Sequence, residues 1–208
     1  MAWDTEETRR RLKEAAIVEF GERGPDATMA GIANRAGINK ERLYNYFGDK
    51  RALFQAVLSE QLQQLAVAVG EPEGGLENIG EFAGRTFDHH QEHPELVRLL
   101  LWEALSREPP VDEAARGAHY QDKVARYAAA QRDGTLDDEI DADYAIFMVV
   151  ALAAWWVAVP QLARLLTGAN PDNPAERARR RAAVVRAVER IMLPVEKAVA
   201  DGAGDTVA

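Results

Sequence analysis

Basic and aromatic side chains crowd into residues 37–50, GINKERLYNYFGDK, of a 208-residue chain whose formal net charge is −9. Lysine ammonium groups and tyrosine hydroxyls suit phosphate oxygens, whereas arginine and asparagine can pair with the edges of guanine and adenine. The chemistry that this stretch offers is therefore recognition of a polyanion.

Charge is divided unevenly along the chain. Residues 1–56 hold 10 Lys/Arg and 9 Asp/Glu, a net charge of +1, and the remaining residues carry −10. Carboxylates near a phosphate backbone oppose binding, so a segment that approaches DNA benefits from their absence. The N-terminal quarter is the part of the chain that avoids this acidity.

The elements that position these residues are predicted to be helices. Apolar residues recur three and four apart and runs of alternating valine, isoleucine and threonine are missing, so we expect an all-α fold. A first helix is predicted over residues 4–22. A second begins at the N-cap Thr28 and closes at Gly37, and a third over 40–46 begins at the N-cap Asn39. Gly48 and Asp49 then lead into a fourth helix over 50–69.

Two short helices joined by a glycine-containing turn make a helix-turn-helix, whose second helix can lie in the major groove of DNA. The third helix is roughly 10 Å long, which fits a groove about 12 Å wide. If Leu43 and Phe47 point inward, several of Lys40, Arg42, Tyr44, Asn45 and Tyr46 must point outward. Lys50 adds a positive charge at the start of the fourth helix, where backbone N–H groups favour an anion.

The segment TMAGIANRAGINKERLYNYFGDKRALFQAVL, residues 28–58, resembles the DNA-binding segment of the tetracycline-repressor family of bacterial transcriptional regulators. The resemblance covers about residues 5–58 and is carried by Thr28, Ile32, Ala33, Ala36, Gly37, Lys40, Leu43, Tyr44, Tyr46, Phe47 and Lys50. It implies that Thr28, Tyr44, Tyr46 and Lys50 hold DNA phosphates while the solvent face of the third helix reads bases. The predicted DNA-binding set is Thr28, Asn39, Lys40, Arg42, Tyr44, Asn45, Tyr46 and Lys50.

Three positions depart from the family pattern. Gly31 stands where the family usually has an acid that completes a capping box, which predicts a weaker start for the second helix. Glu41 and Arg42 stand where small residues are common. Arg42 can favour guanine, and Glu41 can accept from a cytosine amine or restrain Arg42, so no operator sequence is carried over from the family.

The rest of the chain predicts longer helices, over about 76–92, 94–107, 111–132, 141–167 and 174–200. We predict a three-helix DNA-binding domain in residues 1–50 and a helical ligand-binding and dimerisation domain in residues 51–208, linked by the fourth helix. Aromatic residues of the second domain are either core or the lining of a cavity for a small apolar or aromatic effector. The candidate lining residues are Phe82, Thr86, Trp102, Tyr120, Tyr127, Phe147 and Trp155.

A single helix-turn-helix touches few bases, so a palindromic operator and a homodimer are expected. The two most apolar helices, 141–167 and 174–200, are predicted to form the interface as an intermolecular four-helix bundle. The interface candidates are Trp156, Val159, Leu166, Val184 and Val188. The family resemblance implies a ligand-responsive transcriptional repressor that leaves its operator when the effector binds. Our hypothesis for the mechanism is that the effector changes the tilt of the fourth helix and so lowers operator affinity. Activation instead of repression stays open.

Two other classes of function are compatible with the sequence. HHQEH, residues 89–93, matches the H-x-x-E-H pattern of zinc peptidases and would suit a metal-dependent hydrolase, although Pro94 disfavours helical geometry at His93 and no third ligand follows. A non-enzymatic helical scaffold that binds protein is the second alternative. The favoured prediction has no catalytic residue, no metal and no cofactor.

The chain contains no cysteine, which excludes disulfides, thiol catalysis and cysteine-ligated zinc. Acids and arginines occupy the N-terminus in place of an apolar segment, so we expect no export signal and a cytoplasmic location. Residues 145–159, AIFMVVALAAWWVAV, are too few for a bilayer crossing of about 18–20 residues, and predict a helix buried on nearly all sides.

Overall fold

The computed structural model describes residues 5–70, 72, 75–106, 108–170 and 173–194. Within these ranges the chain forms ten α-helices and no β-strand, which confirms the predicted all-α fold. A 3-10 turn, Gly24–Asp26, follows the first helix. The helices are α1 (Thr5–Arg23), α2 (Met29–Ala36), α3 (Lys40–Phe47), α4 (Lys50–Val69), α5 (Ile79–Glu92), α6 (Pro94–Ser106), α7 (Glu113–Arg132), α8 (Ala142–Ala158), α9 (Pro160–Thr167) and α10 (Pro174–Met192).

Side-chain caps set the starts of α2, α3 and α4. Thr28, Asn39 and Asp49 each accept a hydrogen bond from a backbone N–H in the first turn of the helix that follows, at 3.0, 2.9 and 2.8 Å. Gly37 ends α2 in the left-handed conformation, with φ 64° and ψ 35°. The predicted caps are confirmed, because capping depends on residues within a few positions of the helix end.

The core around α1–α4 also includes residues from α6 and from the loop that follows it. Leu96 and Leu99 of α6 and Val111 of the loop are buried together with Leu12, Leu43 and other apolar residues of α1–α4. The helix-turn-helix therefore shares its core with part of the chain that was predicted to belong to the second domain.

A second core is built by α5, α7, α8 and α10 around Phe87. Glycines on α5 let α10 approach closely: a Cβ built on Gly80 would lie 2.6 Å from Glu189 Cγ, and one on Gly84 would lie 2.8 Å from Arg181 Nη2. Arg181 in turn binds Asp88 of α5 at 2.6 Å. The pairing of α5 with α10 depends on small residues and ion pairs as well as on apolar contact.

The prediction of one helix over 141–167 is wrong. The chain bends by 87° between α8 and α9. Pro160 lacks a backbone N–H and disfavours helical geometry in the preceding residue, and Val159 has φ −130° and ψ 61°. Similarly, α10 ends at Met192, before Pro194; the rest of the predicted helix, residues 195–200, lies outside the described residues.

The expectation that residues 145–159 are buried on nearly all sides is also wrong. Ala145, Val149 and Ala153 face the core, but Phe147 is 73% exposed and Trp155 is 55% exposed. Among the described helices, none is both long and apolar enough to cross a membrane by itself; α8 and α9 reach that length only as a sharply bent pair.

Candidate nucleic-acid interface

Helix α3 is anchored by two residues and open on its other side. Leu43 and Phe47 are buried in the N-terminal core, whereas Lys40, Tyr44 and Asn45 are exposed. The anchors lie four positions apart, so they share one helix face and turn the remaining side chains away from it. The structure therefore presents a short helix with polar and aromatic side chains to solvent.

Lys40 and Tyr44 lie next to each other on the exposed face. The Lys40 ammonium is 5.7 Å from the centre of the Tyr44 ring, within reach of a cation–π attraction. This places a positive charge beside a phenol hydroxyl, and both groups can donate to a phosphate oxygen.

Arg42 and Tyr46 are turned partly inward, which differs from the outward arrangement expected for a residue that reads bases. Arg42 Nη2 lies 3.5 Å from Tyr46 Oη, and its guanidinium stands over the Tyr46 ring. Arg42 lowers the pKa of the Tyr46 hydroxyl by donating to it, with smaller contributions from Thr5 and Thr8 of α1. Base reading by Arg42 thus requires its side chain to leave Tyr46, and it stays a prediction.

Thr28 and Asn39 have cap roles that leave donors available. Thr28 Oγ1 accepts from Gly31 N, and Asn39 Oδ1 accepts from Glu41 N. A threonine hydroxyl still has its hydrogen and an asparagine amide its NH₂ group, so each can donate to a phosphate.

Lys50 binds within the protein. Its ammonium donates to the backbone carbonyls of Pro25 at 2.7 Å and Ala27 at 3.1 Å, and so ties the 3-10 turn to the start of α4. An ammonium has three donors, so one remains for a phosphate. The predicted charge at the α4 N-terminus is present, but it is held against the turn that follows α1.

Contacts from α1 to α2 and α3 could not be found from the sequence, because no local pattern signals them. Arg11 donates to the carbonyl of Ala36 at the C-terminus of α2, at 2.6 Å. Arg9 stands over the ring of Phe47, with 5.3 Å between guanidinium and ring centre. These contacts join residues more than 20 positions apart, and they fix the two short helices on α1.

The structure distributes the predicted effector-pocket residues over several places in the fold. Phe82, Thr86 and Tyr127 belong to the second core or pack against it, and the Thr86 hydroxyl donates to the carbonyl of Phe82 at 2.9 Å. Two residues depart from the prediction: Phe147 and Trp155 lie on the outer side of α8. The sequence pattern cannot separate these places, because aromatic residues serve as core, surface and pocket lining alike.

Two further candidates also lie away from that group. Tyr120 is exposed on α7. Trp102 packs over Gly24, between α6 and the 3-10 turn. An open cleft of about 120 Å³ is lined by Leu76, Arg126 and Tyr127 with two neighbouring loop residues. A drug-sized ligand needs about 300–1,000 Å³, so this cleft is too small for one in the described conformation.

Of the predicted interface residues, Val184 and Val188 are placed elsewhere. They are 2% and 0% exposed inside the second core of the single chain, so the prediction that they form a surface between subunits is wrong. Trp156 is partly buried, and the Arg180 guanidinium lies 5.2 Å from the centre of its ring. Val159 is partly buried at the bend, and Leu166 of α9 is 78% exposed.

The histidines of HHQEH lie around the end of α5. The His89 and His93 rings are 4.6 Å apart, and His93 Nδ1 lies 3.3 Å from Glu95 Oε1. Burial lowers the pKa of His90 to about 4, and that of His89 is lowered by burial and by His93. Among the described residues, no three His, Asp or Glu side chains are grouped so that they could hold a metal ion.

Several contacts join the helix-turn-helix to α6 and the loop before α7. A Cβ built on Gly24 would lie only 2.3 Å from Trp102 Cε2, so the indole ring rests on the glycine backbone. Ser59 of α4 donates to the Asp112 carboxylate. Asp112 itself has φ 50°, an uncommon conformation for a residue other than glycine. The N-terminal helices are thus held by α6 and this loop as well as by α4.

Two family profiles match the chain. The profile described as "Bacterial regulatory proteins, tetR family" matches residues 12–57, from α1 into α4. The profile described as "Tetracyclin repressor-like, C-terminal domain" matches residues 78–190, which include α5 to α9 and nearly all of α10. Both parts of the chain therefore have counterparts in one group of proteins.

Individual proteins agree with the profiles. The HTH-type transcriptional repressor SCO4008 of Streptomyces coelicolor is 40% identical over 171 residues, which cover 80% of this chain and 87% of the relative. The crystal structure of the transcriptional regulator SCO4942 of Streptomyces coelicolor matches with a TM-score of 0.74 at 30% identity. The match covers 89% of this chain and 98% of the SCO4942 chain. The fold is also shared by the crystal structure of a TetR family transcription regulator from Marinobacter aquaeolei, which is 18% identical and has a TM-score of 0.71. The match covers 90% of this chain and 96% of the Marinobacter chain.

Proposed function

Because the chain belongs to the tetracycline-repressor family of bacterial regulatory proteins, we propose that it is a repressor that binds a palindromic DNA operator as a homodimer and leaves it when a small molecule binds. The observation that carries the proposal is the exposed face of α3, where Lys40, Tyr44 and Asn45 point to solvent from a helix anchored by Leu43 and Phe47. The family consists of DNA-binding regulators, which favours this function over a hydrolase or a protein scaffold.

In the proposed complex, α3 lies in the major groove. Lys40 and Tyr44 bind phosphates at one edge of the groove, and Thr28 and Lys50 bind the backbone from the starts of α2 and α4. Asn45 and Arg42 contact base edges, where asparagine suits adenine and arginine suits guanine. Phosphate contacts set the affinity and base contacts set the sequence preference.

Binding to random-sequence duplex at several salt concentrations tests the DNA function. Phosphate contacts require the affinity to fall steeply as salt rises, with a slope of about −0.9 for each phosphate neutralised. Selection of bound sequences from random duplex then tests the dimer, because two symmetric half-sites about 34 Å apart produce a palindrome. Salt-independent binding or a single unpaired half-site would contradict the proposal.

The dimer is supported by an apolar surface that is exposed on α8 and α9 in the described part of the chain. Its exposed members are Tyr144, Phe147, Met148, Val150, Trp155, Leu162, Leu165 and Leu166. Monomeric proteins rarely expose an apolar patch of this extent, and a second copy of the same face would cover it by two-fold symmetry. We therefore assign the subunit interface to this α8–α9 face, with Leu166 retained from the sequence prediction.

The effector site is proposed within the second domain, between α7 and the helices beneath it. Within α7, Tyr127 and Ala130 are buried, whereas residues 117–122 are exposed. A helix with few buried contacts opens at low free-energy cost. Opening α7 would expose Phe82, Thr86 and Tyr127 to an apolar ligand, and a ligand that binds only the open form would shift the population toward it.

The signal then has a physical path to the DNA-binding helices. The loop between α6 and α7 bonds to α4 through Ser59 and Asp112, and Trp102 of α6 rests on Gly24. Movement of α7 would pull on this loop and so change the angle of α2 and α3 relative to the partner subunit. Faster amide hydrogen exchange in α7 than in α5 or α10 is the expected result; equal protection would refute the opening step.

A further inference from the structure

A buried carboxylate lies where α1 meets the first turn of α2. The Glu19 side chain is 3% exposed. A Cβ built on Gly31 would lie 2.4 Å from Glu19 Oε1 and 3.1 Å from Cδ. The carboxylate therefore occupies the space that a side chain at the third position of α2 would fill.

The first turn of α2 has no acidic residue of its own. Thr28 caps the N–H of Gly31, but a hydroxyl carries no charge to balance the positive end of the helix dipole. A carboxylate at the third helical position is the usual partner of a threonine cap. Glu19 brings such a group to the same place from a different helix.

Glu19 is held there mainly by charge. Arg35 Nη2 lies 3.2 Å from Glu19 Oε2, and Arg23 Nε lies 3.3 Å from Oε1. Among the described residues, no hydrogen bond of good geometry reaches Oε1, the oxygen nearest Gly31. A buried carboxylate is costly unless nearby positive charge compensates it. The two arginines and the N-terminus of α2 supply that charge together.

We propose that Glu19 is a positioning residue for DNA binding: its carboxylate supplies, from α1, the negative charge that the start of α2 lacks, and so fixes α2 and the Thr28 hydroxyl relative to α3. Gly31 is the complementary part of this arrangement, because any side chain there would displace the carboxylate. The inference rests on the proposed DNA-binding function.

Moving the charge from α1 to α2 tests this directly. We expect Glu19→Ala and Gly31→Glu each to weaken binding to random-sequence duplex by about tenfold, the first because the helix start loses its charge and the second because two carboxylates collide. The double variant Glu19→Ala/Gly31→Glu places a carboxylate at the third position of α2 itself. Its affinity should return to within about threefold of the original, given the strength of a capping box.

The sign of the effect separates positioning from general electrostatics. Removing a negative charge near DNA should by itself strengthen binding. Glu22→Gln is the matched control, because Glu22 lies on the same helix and binds the same Arg35 at 2.6 Å but is exposed and is not among the atoms beside Gly31. Glu22→Gln should leave affinity unchanged or raise it slightly, whereas Glu19→Ala should lower it.

Amide hydrogen exchange in α2, measured without DNA, provides a second reading. Exchange in the first turn should accelerate in Glu19→Ala and slow again in the double variant. If Glu19→Ala does not fold, Glu19→Gln keeps the shape and removes only the charge. Failure of the original chain to bind any duplex would refute the proposed function, and the exchange data would still test Glu19. Unchanged affinity and exchange in Glu19→Ala, or no recovery in the double variant, would overturn the inference.

Discussion

Substitution of Gly24 by alanine should destabilise the protein strongly, because this glycine serves two purposes. Its φ of 53° lies in the left-handed region, and a Cβ there would approach Trp102 Cε2, Cζ2 and Cδ2 at 2.3, 2.5 and 2.7 Å. Ordinary contact between carbon atoms needs about 3.5–4.0 Å, so the indole ring must move by about 1 Å or more.

The two costs can be separated. The left-handed conformation costs a non-glycine residue about 1–2 kcal/mol, and overpacking a filled site costs about 1–3 kcal/mol more. Gly24→Ala should therefore lower the free energy of unfolding by about 2–5 kcal/mol, which for a chain of this length lowers the melting temperature by roughly 5–15 °C.

Gly134→Ala is the matched control. Gly134 has φ 81°, and no atom lies within 4 Å of a Cβ built on it, so the control carries the backbone cost alone, about 1–2 kcal/mol. Thermal and urea unfolding should be measured at one protein concentration, because dimerisation makes the melting temperature depend on concentration. Equal losses for the two variants would refute the inferred contact between Gly24 and Trp102.

Three further predictions concern the DNA interface, the subunit interface and the buried histidine. Lys40→Ala should weaken binding to all duplexes and reduce the salt slope by about 1, whereas Arg42→Ala should chiefly relax the preference at one or two base pairs, as base selection would show. Phe147→Glu should convert dimer to monomer in light scattering, because a partner would have to bury the new charge. Burial lowers the pKa of His90 to about 4, so below about pH 6.5 the unfolded chain gains a proton that the folded chain does not. The free energy of unfolding should therefore fall by up to about 3 kcal/mol between pH 6.5 and 4. Urea unfolding should show a smaller fall in His90→Leu.

Control variants test whether each effect is specific to the residue that was changed. Val67→Glu places a charge on an exposed valine of α4 and should leave the dimer intact; loss of the dimer there would show that any added charge suffices. His93→Asn removes an exposed histidine and should keep the fall in stability below pH 6.5. Equal loss of affinity on every sequence for Arg42→Ala would mean that Arg42 contacts phosphate alone.

The helix-turn-helix could be predicted from the sequence because the residues that specify it act on neighbours close in the chain. Thr28 and Asn39 cap the helices that begin next to them, Gly37 ends α2, and Leu43 and Phe47 share a face through a spacing of four residues. Each of these features depends on neighbours within one helical turn, so a pattern of residue types predicts it.

In the second domain, the buried residues could not be predicted from the sequence, because burial there depends on which helices pack against each other. Val184, Val188 and Phe147 are all apolar residues on apolar helices, yet the two valines lie in the core and Phe147 lies on the surface. Nothing in their local sequence distinguishes them. The bend at Pro160 was visible locally, but the long apolar run around it favoured a single helix.

By itself, then, the sequence determined an all-α chain with a capped third helix that carries basic and aromatic side chains, since those features arise from propensity, capping and periodicity. The tertiary structure alone decided that Glu19 reaches Gly31, that Trp102 rests on Gly24, and that Phe147 and Trp155 lie on the exposed side of α8. The two contacts join residues 12 and 78 positions apart, and such pairs meet only after the helices have packed.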